Sequence, residues 1–265
     1  MVKKLIKHEF IYYWRTFCIF LPIVLAIGIM TRVFFLFDSE NLIVGLAQVF
    51  SMGAFYMSSF AIMVLSTVIG IYRFYKNMYS SEGYLTFTLP VKNYQHIFVK
   101  LLGAVTCNIV SALTVVAAGA IVLSDDSFNG VFSEVKYSLA SMFYGVGTGN
   151  RVLFIIEFVI LALLSPIMST LVFYACISAG QTAKKNKILM SFVWYIVYYM
   201  VSQVASLVFT VILSVIIVIG EEFIYSNPVT AIQIGLILSI VFQVIASAVM
   251  YLISLGVMNK KLNLE

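Results

Sequence analysis

Of 265 residues, 62% are hydrophobic and only 10% charged, and the mean hydropathy is +1.06, whereas an ordinary soluble domain carries roughly 25% charged residues; a soluble globular fold is excluded. The net charge of +5 resides in short Lys and Arg clusters between hydrophobic runs, a distribution that reports membrane topology rather than a nucleic-acid surface. Those runs are long enough for helices that cross a bilayer, about 20 residues each, and lack the short alternating segments of a β-barrel, so the chain reads as an all-α integral membrane protein.

Residues 1–15 form a basic, aromatic segment. Val2, Leu5, Ile6, Phe10 and Tyr13 gather on one helical face, and Lys3, Lys4, Lys7, His8 and Arg15 on the other, the pattern of an amphipathic interfacial helix. Glu9 in the apolar arc and Ile11 and Trp14 near the polar one depart from it. The segment can act as a topology anchor, as a gate, or as both. Six spans are expected after it, at 17–37, 46–72, 97–123, 152–178, 188–219 and 229–258. The first run lacks a small-residue cleavage site after a short core, so it is expected to stay rather than to be removed as a signal peptide.

An even number of spans puts both termini on one side. Lys3, Lys4, Lys7, Arg15, Arg73, Lys76, Lys92, Lys100, Lys184, Lys185, Lys187, Lys260 and Lys261 fall on that side, against Arg32, Lys136 and Arg151 on the other. The basic side is therefore expected to be cytoplasmic. Asp38, Glu40, Asp125, Asp126, Glu134, Glu221 and Glu222 all fall outside. The outer loop, 124–150, carries Val131, Val135, Leu139 and Met142 at helical spacing and is expected to lie along the outer membrane surface. Gly145, Gly147 and Gly149 then loosen the chain. Pro166 is expected to kink the fourth span. The fifth run exceeds what a bilayer requires, so it either tilts or breaks near its outer end, where Glu221, Glu222 and Pro228 sit. No soluble domain fits beside the spans, and residues 1–265 read as a single membrane domain.

The chemical inventory is thin. His8 and His96 are isolated, and the chain has no HExxH, paired-cysteine or GxSxG pattern, so neither an enzyme active site nor a metal site is expected. It also has no GxxxxGK[ST] loop for binding ATP phosphates; any ATP-driven work needs a partner. Cys18, Cys107 and Cys176 all fall in spans, which favours packing roles over disulfides. Arg32, near the outer end of the first span, is expected to snorkel. Glu157 lies about a turn and a half into the fourth, where it can pair with an Arg, face water, or titrate. Pairing is favoured, because a proton relay needs acidic or His partners that are lacking. Asn108, Gln203 and Gln243 are the larger uncharged polar residues of the spans; they line a pathway or make interhelical hydrogen bonds.

The longest polar interruption between the early spans, 73–100, differs in kind. Arg73, Lys76, Tyr72, Tyr75 and Tyr79 extend the second helix past the membrane to about Ser80–Gly83, where Gly83 is expected to stop it. Tyr84, Leu85, Phe87 and Leu89 then place apolar side chains on an exposed connection, which calls for a partner surface or a return onto the membrane domain. Pro90 suits the first turn of a new short helix.

Glu82-Gly83, the stretch Leu85-Thr86-Phe87-Thr88, Leu89-Pro90, and Lys100 at the foot of the third span together resemble the cytoplasmic connection of bacterial ABC-2-type transporter permeases. The amphipathic start and the six-span layout agree with that family over nearly the whole chain. Its better-known variant has Gly-Thr after the Glu, whereas Tyr84 follows Gly83 here. The resemblance implies a permease half in the bacterial plasma membrane, paired with a second copy in a homodimer or heterodimer. Two cytoplasmic ATPase subunits would bring the ATP and Mg. It further implies that segment 73–96 holds a coupling helix, with Glu82, Gly83, Tyr84, Leu85, Thr86, Leu89 and Pro90 at the ATPase and residues 1–15 as a connector helix. The small size resembles exporters of phenol-soluble modulins and lantibiotic-immunity systems, which implies an amphipathic peptide or another hydrophobic cargo. Two other classes stay open: a non-transporting membrane scaffold or sensor, and an ion-coupled secondary transporter.

Overall fold

A computed structural model of the chain describes residues 2–37, 41–80, 82–88, 90–123, 133–134, 137, 148–183, 185–220 and 228–260. Among them the helices are α1 (Val2–Phe35), α2 (Leu42–Tyr79), α3 (Glu82–Thr88), α4 (Asn93–Leu123), α5 (Thr148–Gly180), α6 (Lys187–Ile219) and α7 (Pro228–Lys260), and no strand occurs among the described residues. All but α3 are long and apolar enough to cross a membrane. Helix is the form such runs must take in lipid, because only there does a lone segment satisfy its own backbone N–H and C=O groups.

The spanning helices exceed their apolar runs, chiefly at the ends rich in Lys and Arg. The 38 residues of α2 extend about 57 Å at 1.5 Å per residue, against roughly 30 Å of hydrocarbon. α1 is continuous from Val2 through Phe35, with Pro22 inside it, so no break separates the expected interfacial segment from the first span; residues 15–17 hold neither Gly nor Pro to make one. Its faces do segregate: Lys3, Lys4, Lys7, His8 and Arg15 are exposed, while Glu9, Tyr13, Phe17, Val24, Gly28 and Thr31 are buried. α6 runs unbroken to Ile219, and the Gly220 N–H closes it on the Ile216 carbonyl at 2.8 Å. Most of the outer loop, including Val131, Val135, Leu139 and Met142, and the Glu221-Glu222 turn lie outside the described residues.

The chain divides into two compact units, Met1–Tyr72 with Leu102–Gly145, and Arg73–Leu101 with Val146–Glu265. In the first, Val24, Phe55, Ile62, Ala118 and Val122 form the larger core cluster, and Tyr13, Phe17 and Cys107 a smaller one. A Cβ on Gly28 would lie 3.2 Å from the Ala118 Cβ, and one on Gly70 3.0 Å from that of Ala104, the close approach that small residues permit between membrane helices. Polar side chains close the helix ends in this unit. Arg32 Nη1 donates to the Ile121 carbonyl in the last turn of α4 at 3.1 Å, and Gln48 Nε2 donates to the Phe34 and Phe37 carbonyls at 3.2 and 3.1 Å. Such carbonyls have no partner within their own helix. Arg32 thus caps a neighbouring helix, where the sequence alone points to snorkelling.

In the second unit α5 packs on α6 and α7. Ahead of α6 Asn186 is left-handed at φ 53°, a conformation Asn tolerates better than most side chains. Burial changes along α5. Among the described side chains of its first half only Phe154 and Glu157 are buried, whereas from Thr170 to Ser178 every residue but the part-buried Phe173 is buried. Pro166 stands between the two regimes within a continuous helix.

Candidate functional site

The connection between α2 and α4 is built differently from its sequence reading. The break after α2 falls at Ser80, and Gly83, expected to stop that helix, is the second residue of α3 and buried. Its N–H donates to the Ser80 carbonyl at 2.7 Å, so the turn precedes α3. Pro90 follows α3 rather than opening a helix, and α4 begins at Asn93. The short helix therefore coincides with the string Glu82-Gly83-Tyr84-Leu85-Thr86-Phe87-Thr88. Glu82 suits its first turn, where negative charge is favoured, and the Thr86 hydroxyl donates to the Glu82 carbonyl at 3.0 Å.

α3 is tied to the end of α2 by an ion pair, Lys76 Nζ to Glu82 Oε1 at 3.0 Å, with both side chains close to half exposed. At that exposure the pair contributes little stability, about 0–1 kcal/mol; it orients α3. Tyr84, 53% exposed, and Thr88, also exposed, are four residues apart and so share one outward face. Pro90 is exposed beside them. The side chain of Leu85 and the whole of Leu89 lie outside the described residues.

Beneath this connection is a polar and aromatic core in the same unit. Phe74 and Tyr174, both 0% exposed, stack with ring centroids 3.7 Å apart and planes 9° from parallel. The Tyr79 ring stands edge-on to Phe74 at 5.9 Å, and its hydroxyl donates to Ser178 Oγ at 2.8 Å. The Tyr174 hydroxyl donates to the Lys100 carbonyl at 3.3 Å. Lys100 itself is buried, so a residue read as a topology charge is a core residue. With the Asn77 amide turned so that its oxygen accepts from Lys100 Nζ at 3.2 Å, its nitrogen donates to the Arg73 carbonyl at 3.0 Å. α7 joins the foot of α4 through Asn93 Nδ2 to Asn259 Oδ1 at 2.9 Å and the Tyr251 hydroxyl to the Tyr94 carbonyl at 3.0 Å. Sequence reasoning took Tyr79 only as a mark of the extended second helix and passed over Phe74, Tyr174 and Ser178, because an aromatic and a serine in a helix give no local sign of pairing.

The intramembrane polar residues are divided between the two units. Asn108, in the first unit, is buried, and its Oδ1, like Ser111 Oγ one turn on, has no hydrogen-bond partner among the described residues. Glu157 is 8% exposed, and its Oε2 has none either. Gln203 is exposed at the middle of α6, and Gln243 is part-buried on α7. Cys107 and Cys176 are buried as packing residues, whereas Cys18 is exposed; all three are free thiols. No cluster of His, Cys, Asp and Glu suited to a metal occurs among the described residues.

Six long apolar helices with polar residues gathered at their ends define the class: a multi-pass helical membrane protein. Compared with protein-family models, characterised proteins and solved structures, the chain matches none.

Proposed function

We propose that the chain is the membrane-spanning half of an ATP-driven exporter in a bacterial plasma membrane, with both termini cytoplasmic and α3 as the element on which a separate ATPase acts. The observation that supports this most is α3 itself. It is a seven-residue helix between two helices that outrun the bilayer, ion-paired to the first of them and presenting Tyr84 and Thr88 outward. A short element held on long stiff ones converts a push from outside into helix movement, and an exposed aromatic is a common anchor of a protein contact. ATP and Mg belong to the ATPase, since the chain has no phosphate loop. With the partner ATPase reconstituted, Tyr84→Asp should lower recovery of the complex and stimulated ATP hydrolysis on the order of tenfold, with the chain still monodisperse in detergent. Unchanged recovery and hydrolysis would defeat the reading.

A second copy of the chain completes the assembly in this reading, and α6 offers the face for it. Tyr199, Gln203, Ser206 and Thr210 are exposed at spacings that align them along one side. Ser206 and Thr210 donate to their own helix, to the carbonyls of Gln203 at 2.9 Å and Ser206 at 2.8 Å. The Gln203 amide makes no such bond among the described residues, and an unpaired amide in lipid is costly, whereas two amides on facing copies satisfy each other. Gln203→Cys is expected to form disulfide-linked dimers in membranes, and Leu238→Cys, also exposed but on α7, is not. Equal cross-linking, or none, removes α6 as the meeting face.

The cargo in this reading is an amphipathic peptide or another hydrophobic compound, in keeping with spans that carry few fixed charges; transport of labelled peptides in vesicles holding the reconstituted complex decides it. Glu157 favours a second reading, ion-coupled transport, because a buried carboxylate oxygen without a hydrogen bond is the kind of group that binds and releases a proton. Glu157→Gln should leave ATP-driven transport within about twofold, since the amide keeps the shape and forgoes a charge that the exporter does not use. Abolished uptake under a proton gradient without ATP would support the second reading instead.

A further inference from the structure

We infer that the end of α5 belongs to the same mechanical block as α3, so that a push on α3 is delivered to α5 as well as to α2 and α4, with the Tyr79–Ser178 hydrogen bond and the Phe74–Tyr174 stack as the joint. The inference rests on the coupling reading only for where the push originates. Two attachments share two turns of α2. Lys76 holds α3 through Glu82, while Phe74 and Tyr79 hold α5 through Tyr174 and Ser178. The two α5 residues are four apart and so lie on one face of that helix, and each grips a different part of the connection. Ser178 takes α2 alone; Tyr174 takes α2 by its ring and α4 by its hydroxyl, at the Lys100 carbonyl.

All four joint residues are buried, Tyr79 at 6% exposed and the others at 0%. In such an interior a rotation of α2 against α5 breaks contacts that neither lipid nor water replaces, and close-packed cores transmit displacement rather than absorb it. The hydroxyl pair adds direction, because a buried donor left without its acceptor is penalised more than the intact bond gains. Tyr79 and Ser178 are thus positioning residues: their part is to make two helices move together.

The test uses the full chain in lipid nanodiscs and reads amide hydrogen exchange, with no ATPase required. Tyr79→Phe keeps the ring against Phe74 and deletes only the hydroxyl; Ser178→Ala deletes its acceptor. Each is expected to speed exchange by about tenfold in two segments at once, 74–88 and 170–181, and the double variant should add less than about twofold to either single one. Faster exchange confined to one segment, or effects of the two substitutions that multiply, would overturn the shared block. Because the partner is absent, that result leaves the coupling reading standing. Conversely, loss of the Tyr84 dependence of ATPase recovery strikes the coupling reading and leaves the exchange pattern as it is.

Discussion

Phe74→Ala is expected to destabilise the solubilised chain by about 3–5 kcal/mol, the range for truncating a fully buried aromatic. Phe74 is 0% exposed, stacks on Tyr174 and meets the Tyr79 ring edge-on, so its removal leaves a cavity bounded by two rigid aromatics that cannot collapse into it. Phe74→Leu fills much of the space and should cost less. Phe60→Ala is the control: Phe60 is on the same helix but 69% exposed, and its truncation should change little. Unfolding in mixed detergent micelles measures all three, and equal losses for Phe74→Ala and Phe60→Ala would show that the stack is not a core contact.

Gly180→Ala should be the second most damaging change, although it adds a single methyl group. Gly180 ends α5 where α6 crosses it, and a Cβ there would stand 2.6 Å from both Cα and N of Ser191, besides overlapping its Oγ. A side chain can rotate away from such an overlap but backbone cannot, so α6 must shift, at a cost of about 1–3 kcal/mol by the precedent of overpacked cores. Gly149→Ala and Gly235→Ala serve as contrasts, with nothing within 4 Å of the new atom; replacing glycine there should be neutral or stabilising by roughly 0.5–1 kcal/mol. A thermal midpoint for Gly180→Ala equal to theirs would mean that α5 and α6 do not meet as described.

The six crossings were legible in the sequence because an apolar run of that length has few other fates in water or lipid. The run of α2 past its apolar stretch was legible too, expected to about Ser80–Gly83 and observed to Tyr79. The start of α4 was not: it begins at Asn93, ahead of its apolar run, because hydropathy registers the solvent around a residue and not the hydrogen bonding of its backbone. The connection was found, but its helix was placed wrongly. Gly83 and Pro90 were weighed by their usual positions at helix ends, while the turn at Ser80 and the Lys76–Glu82 pair set α3 one step earlier.

The partners of charged residues were the least legible. Lys100 counts as a topology charge in the sequence, yet it is buried, and with the Asn77 amide turned its Nζ meets an oxygen of another helix. Arg32 finds an acceptor in Ile121, eighty-nine positions away. Nothing near either residue in the chain announces those contacts. For Glu157, adjacent sequence shows only that a carboxylate lies in an apolar run; that one of its oxygens is left without a hydrogen bond is a property of the fold.

The uneven burial of α5 gives that helix the mechanics of a cantilever. Its Thr170–Ser178 stretch is clamped in protein, its first half is largely exposed, and Pro166 lies near the clamp, where one backbone hydrogen bond is missing. A small rotation at the clamp becomes a larger sweep at the free end in proportion to the length beyond it, and that length carries Glu157. Bilayer thickness, which acts on lipid-facing helix, is then felt by the free half far more than by the root.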